Sequence, residues 1–216
     1  MIHIETPTGC TPQRKYVLAI IFTEWLGLDF EIEQRQRVDC KISFIGKPGS
    51  IILPDTFFSV AHKSWLMDES LPAGPLGVYE IPSAIRPKRL IDKNLPVIFG
   101  RPDHTLIDHD NRNVINIPID IFGSAFIMLT GYEEVVRGTR DKHGRFPSAD
   151  AMAVRLKFIE RPIIDEYVEV LWEAISKQWP FLNRKCQTYQ TNVTCDLDHP
   201  FYSTSIKNAV RRFAKR

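Results

Sequence analysis

Asp196, Asp198 and His199, in the stretch TNVTCDLDHPF, are the residues whose types and spacing best suit chemistry. Carboxylates two apart on a strand point the same way. Such a pair can share one cation or divide the roles of base and ligand, because like charges that close need a metal or a proton between them. The alternating run Tyr189, Thr191, Val193 and Cys195 predicts a strand ending at the aspartates. The carboxyl end of a strand is where α/β proteins place ligands. A second reading stands beside the first: Asp198 caps the turn before Pro200, and Asp196 makes a loop hydrogen bond.

Other candidates are weaker. His104 and His109 lie five apart in DHTLIDHD, which suits neither an i, i+4 helical metal pair nor alternate strand positions, so a polar loop is predicted. His143, in RDKHGRF, reads as a solvated histidine in a turn, with contact to an anionic ligand or a partner as the alternative. Glu133 and Glu134 are adjacent on a predicted helix and point about 100° apart, which argues for a wet face over an acid/base pair. Glu24 is a lone charge on the first helix. Glycine-rich nucleotide loops, a G-x-S-x-G elbow and H-E-x-x-H are absent from the sequence.

The elements that must position these groups follow from periodicity. TPQRKYVLAIIFTEWLGLDF predicts an apolar helix, with Val17, Ile20, Ile21, Trp25 and Leu28 in one stripe and Gly27 as a stop. FEIEQ, CKISFIG and SIILPD predict strands, the last two as a hairpin around Gly46, Pro48 and Gly49. LPAGPLGVYEIPSAIRP reads as a long surface connection, and LPVIFG and NVINIPID as further strands. DIFGSAFIMLTGYEEVVRG predicts one amphipathic helix stopped by Gly138. RPIIDEYVEVLWEAISKQW predicts another, with Pro162 at its start and Asp165, Glu166, Glu169 and Glu173 on its wet side.

A chain of 216 residues accommodates one large domain, or one domain and part of another. A net charge of +2 is too small to argue for nucleic acid, and the basic ending IKNAVRRFAKR has no interleaved aromatic platform beyond Phe213, so no nucleic-acid partner is expected. The N-terminus lacks the order of a secretion signal, and no run approaches ~18 apolar residues, so no membrane span and a cytoplasmic location are expected. Cys10, Cys40, Cys186 and Cys195 form no C-x-x-C pair and are expected as free, mostly buried thiols.

Several phrases in order, YVLAIIFTEWLGLDFEIE, VIFGRPD, IDIFGSAFIMLTGYEEVV, RDKHGRFPSADA, RPIIDEYVEVLW and TCDLDHPF, resemble bacterial polysaccharide deacetylase-like proteins. In these an uncharacterised N-terminal α/β domain precedes a NodB-type, carbohydrate esterase family four-like domain. The resemblance implies a mixed α+β domain over residues 1–183, a mixed sheet with covering helices. Residues 184–216 would be the first strand and helix of a truncated (β/α) barrel. It implies Asp196 as general base, Asp198 as ligand of a divalent metal (zinc or similar), His199 as an alternative ligand, and an acetylated carbohydrate as substrate. The family's two aspartates are adjacent, whereas here they are two apart, and its further histidines have no match after His199. The expectation is therefore no tight metal site and no deacetylase activity from this chain by itself. Self-association through the exposed C-terminal segment is also expected. The competing reading is a non-enzymatic glycan- or partner-binding module with a structural D-x-D-H turn. An aspartate-nucleophile phosphatase would require a full domain after its motif and ranks below both.

Overall fold

A computed structural model describes residues 1–88, 90–101, 113–186, 188 and 190–196. The chain divides into two units, Met1–Lys185 and Cys186–Arg216. The first is a mixed α+β fold built on a five-stranded sheet. Its opening strand β1 (Ile2–Pro7) alternates buried Ile2, Ile4 and Thr6 with outward His3 and Glu5. Helix α1 (Thr11–Leu18) follows, with a proline in its first turn, and runs on as a π-helical stretch, Ala19–Leu26. Gly27, at φ +69°, ends it in the left-handed conformation that glycine adopts without cost.

Strands β2 (Phe30–Arg35), β3 (Asp39–Phe44) and β4 (Ser50–Pro54) come next, then β7 (Val114–Asn116), giving the order β2-β1-β3-β4-β7. β1 is parallel to β2 and antiparallel to β3, β3 is antiparallel to β4, and β4 is parallel to β7. Four strands therefore run one way and β3 runs against them. The register sets Ile32, Ile4, Ile42 and Ile51 side by side across the sheet.

Between β4 and β7 lie α2 (Thr56–Ala61) and a two-stranded sheet, β5 (Gly77–Glu80) with β6 (Asn94–Val97). Strand β5 falls inside the stretch expected as a bare surface connection. Beyond β7, the single helix expected over 120–138 is two, α3 (Ile121–Thr130) and α4 (Tyr132–Arg137), broken where Gly131 turns to φ +61°. A short α5 (Met152–Arg155) and the long α6 (Ile163–Gln178) complete the unit. Helices α1, α3 and α6 pack in succession, and α6 contacts β4.

Phe57 sits at the centre of an aromatic cluster, with ring centroids 5.1 Å from Phe58, 5.4 Å from Phe99, 5.8 Å from Phe126 and 5.2 Å from Tyr132. Emptying such a position costs about 3–5 kcal/mol. The expectation that Glu166 lies on the wet side of α6 is overturned, because it is 2% exposed. Arg161 reaches both its oxygens, at 2.9 and 2.8 Å, and Ile91 N–H donates to it at 3.0 Å. A buried charge so paired ties the approach to β6 onto α6.

Candidate functional site

Of the three residues singled out for chemistry, only Asp196 is described; Asp198 and His199 lie outside the described residues, as do His104 and His109. Residues 190–196 are exposed and form no strand, and Val193 is 92% exposed. Among the described residues this segment pairs with no strand, and an unpaired extended segment has too little to stabilise it. Cys186 and Cys195 are exposed free thiols, a correction to the expectation of burial, while Cys40 is buried and Cys10 is half-buried. Among the described residues no three potential ligands gather around a metal position.

The sequence-based reading missed the buried corner at the carboxyl edge of the parallel strands. Arg14 enters from α1, Asp55 follows β4, Asp120 precedes α3, and Cys40 belongs to the start of β3. All four are at most 3% exposed. Arg14 grips Asp55 with both terminal nitrogens, the Nη2 bond measuring 2.8 Å, and its Nε donates to Gly9 O at 3.0 Å. Its guanidinium lies 4.6 Å from the Phe58 ring centre.

Asp120 caps two helices at once. Thr56 N–H and Phe57 N–H donate to its Oδ2 and Gly123 N–H to its Oδ1, each at 2.8 Å. That satisfies amides at the first turns of both α2 and α3. Gly123 is required by this closeness, since a Cβ there would meet Phe57 and come within 2.5 Å of Asp120 Oδ2. Burial, then the charge of Asp55, raise the Asp120 carboxyl to about 7, against the lowering pull of the three amides. Burial, reinforced by Asp55, also holds the Cys40 thiol well above its ordinary range, so it stays protonated and unreactive. The location suits a ligand site, but its charged groups are committed to one another and to helix ends. The corner is structural.

The outward face of the sheet offers a second arrangement. In register across four strands stand Glu31, His3, Ser43 and Ser50. A groove of about 660 Å³ opens here, its lining including His3, Glu31, Lys41, Ser43, Lys47 and Asn113. Acid, imidazole and hydroxyl in that order would suit nucleophilic hydrolysis. The bonds run otherwise. His3 Nδ1 is 2.8 Å from Glu31, its Nε2 is 3.3 Å from Glu33, and Ser43 Oγ donates to the His3 carbonyl at 3.4 Å. Arg37 meanwhile pairs with Glu5 and Asp39, and Lys41 with Glu5. This face is a ladder of half-exposed ion pairs, each contributing about 0–1 kcal/mol. The signal for it was the I-H-I-E alternation at residues 2–5.

Fold and sites together define an α+β domain whose sheet has a buried apolar face, a charged outer face and a polar corner that locks helix ends. The chain belongs to a family of unknown function, DUF7033, whose model matches residues 2–180. No curated protein and no solved structure matches it. Among the described residues no helix is long and apolar enough to cross a membrane.

Proposed function

We propose that Met1–Lys185 is a non-enzymatic binding module placed ahead of a polysaccharide deacetylase-like domain, whose chemistry begins at TCDLDHPF. One observation carries this reading. Among the described residues, the buried carboxylates of the first unit, Asp55, Asp120 and Glu166, are all engaged by arginines or backbone amides, whereas Asp196 lies exposed in the second unit. A general base must be free to take a proton from water. In the parent protein Asp196 fills that role during hydrolysis of N-acetyl or O-acetyl groups on a bacterial carbohydrate. Asp198 and His199 are assigned to a divalent cation, zinc or similar, which would polarise the acetyl carbonyl.

The test compares acetate release from an N-acetylated oligosaccharide by this chain and by a form extended through a complete barrel. Release is expected only from the longer form, with Asp196→Asn and chelation each reducing it at least a hundredfold. Equal release from both forms, or a longer form indifferent to Asp196→Asn, overturns the reading.

A further inference from the structure

The segment Arg137–Arg145, RGTRDKHGR, carries four permanent cations, Arg137, Arg140, Lys142 and Arg145, against one carboxylate, Asp141. Such a run is ordinarily a solvated surface. Three features set this one apart. Its carboxylate is spent on the backbone: Asp141 Oδ1 accepts His143 N–H at 2.7 Å and Arg145 N–H at 2.9 Å. The same residue closes the turn, with Asp141 N–H donating to Arg145 O at 2.8 Å and Gly144 N–H to Asp141 O at 3.0 Å. The turn is therefore held in shape by its one carboxylate, and with that charge counted the segment still carries a net +3.

Among the described residues these cations have no carboxylate within ion-pair distance. None of the ion pairs among the described residues involves Arg137, Arg140, Lys142 or Arg145. Glu133, four residues before Arg137 on α4, accepts the Met152 amide at 2.7 Å and feels the charge of Arg137 without forming a close ion pair with it. Arg140 is anchored by donating to the Glu134 and Thr139 carbonyls, at 3.1 and 2.6 Å. Arg137 Nε is buried with no hydrogen-bond partner. Lys142, His143 and Arg145 are exposed, and a Cβ placed on Gly138 or Gly144 would touch nothing within 4 Å, so the turn stands clear of the body.

We propose that this turn is a binding site for an acidic polysaccharide, a soluble polymer with closely repeating carboxylate or phosphate oxyanions. Arginine forks match such oxyanions in bidentate fashion, and a preshaped turn reduces the ordering cost of binding. A nucleic acid fits less well, because Phe146, the aromatic residue next to the turn, is half-buried and offers no open stacking platform. A lipid surface fits less well, because none of the large exposed apolar side chains lies between Arg137 and Phe146. The proposal does not depend on the deacetylase reading, since the site lies wholly in the first unit.

The experiment is calorimetric titration of the full chain with a carboxylated oligosaccharide, oligogalacturonate, at low and moderate salt. Parallel arms use single-stranded DNA and phosphatidylglycerol vesicles. Binding to the oligosaccharide that weakens with salt is expected, with Lys142→Ala/Arg145→Ala lowering affinity at least tenfold. Asp141→Ala should weaken binding several-fold although it removes a negative charge, because it unravels the turn. Asp141→Asn, which keeps an acceptor oxygen, should bind at least as well as the native chain. No binding at low salt, equal affinity of Asp141→Ala and Asp141→Asn, or tighter binding to DNA or vesicles overturns the proposal.

Discussion

Arg14 with Asp55 in the buried corner and Arg145 with Asp141 in the basic turn use the same two residue types to opposite ends. In the corner the guanidinium and carboxylate grip each other, and the charge is cancelled where water cannot reach. In the turn the carboxylate takes backbone amides instead, and Arg140, Lys142 and Arg145 face solvent with no ion-pair partner among the described residues. Burial decides which arrangement is stable. An uncompensated charge inside costs several kcal/mol, whereas one in water costs little. The corner therefore holds the fold, and the turn is free to meet something else.

The sharpest way to break this contrast is to remove the cation from each region. Arg14→Ala leaves Asp55 buried and unpaired and should destabilise the domain by about 3–5 kcal/mol, read from urea unfolding midpoints. A loss below about 1 kcal/mol would show that the corner is not the anchor it looks like. Asp120→Asn comes next, at about 1–3 kcal/mol, because an amide cannot accept on both sides. It should also alter the pH dependence. With its folded value at about 7 against an ordinary 3.8, Asp120 binds more protons in the native state across that window. Its contribution to stability is then present in acid and is lost as pH rises towards 7. Unfolding midpoints of Asp120→Asn, relative to native, should therefore lose this slope between about pH 4 and 7; an unchanged slope would place the titrating group elsewhere.

Smaller effects sharpen the other side. Glu31→Ala on the outer sheet face should cost less than about 1 kcal/mol, and Lys142→Ala should stay within about 0.5 kcal/mol, both by thermal melts. A large loss at Lys142 would mean the turn packs against the body and is not free to bind.

Much of this architecture was legible from residue patterns. FEIEQ, CKISFIG and SIILPD announce β2, β3 and β4, and the apolar stripes announce α1 and α6, because half-buried elements leave a period in the sequence. β1 escaped notice because its alternation spans only six residues and ends in Pro7. The break at Gly131 was hidden because the apolar stripe carries on across it, from Phe126 to Tyr132. The corner left still less trace: Arg14, Asp55 and Asp120 are far apart in sequence and share no motif, so only the order of strands brings them together. Glu166 shows the same limit, for a helix position that looks wet is buried once Arg161 folds over it.

The order of strands has one more consequence, for how the molecule behaves in a crowd. β2 stands at the end of the sheet, joined to β1 on one side. Along it Glu31, Glu33 and Arg35 alternate with Phe30 and Ile32, and Arg35 reaches Glu33 at 2.8 Å. An edge so charged is a poor template for a stray extended chain, because each added strand would have to bury or displace those groups. The acids beside His3 thus also discourage one copy of the protein from zipping onto the next.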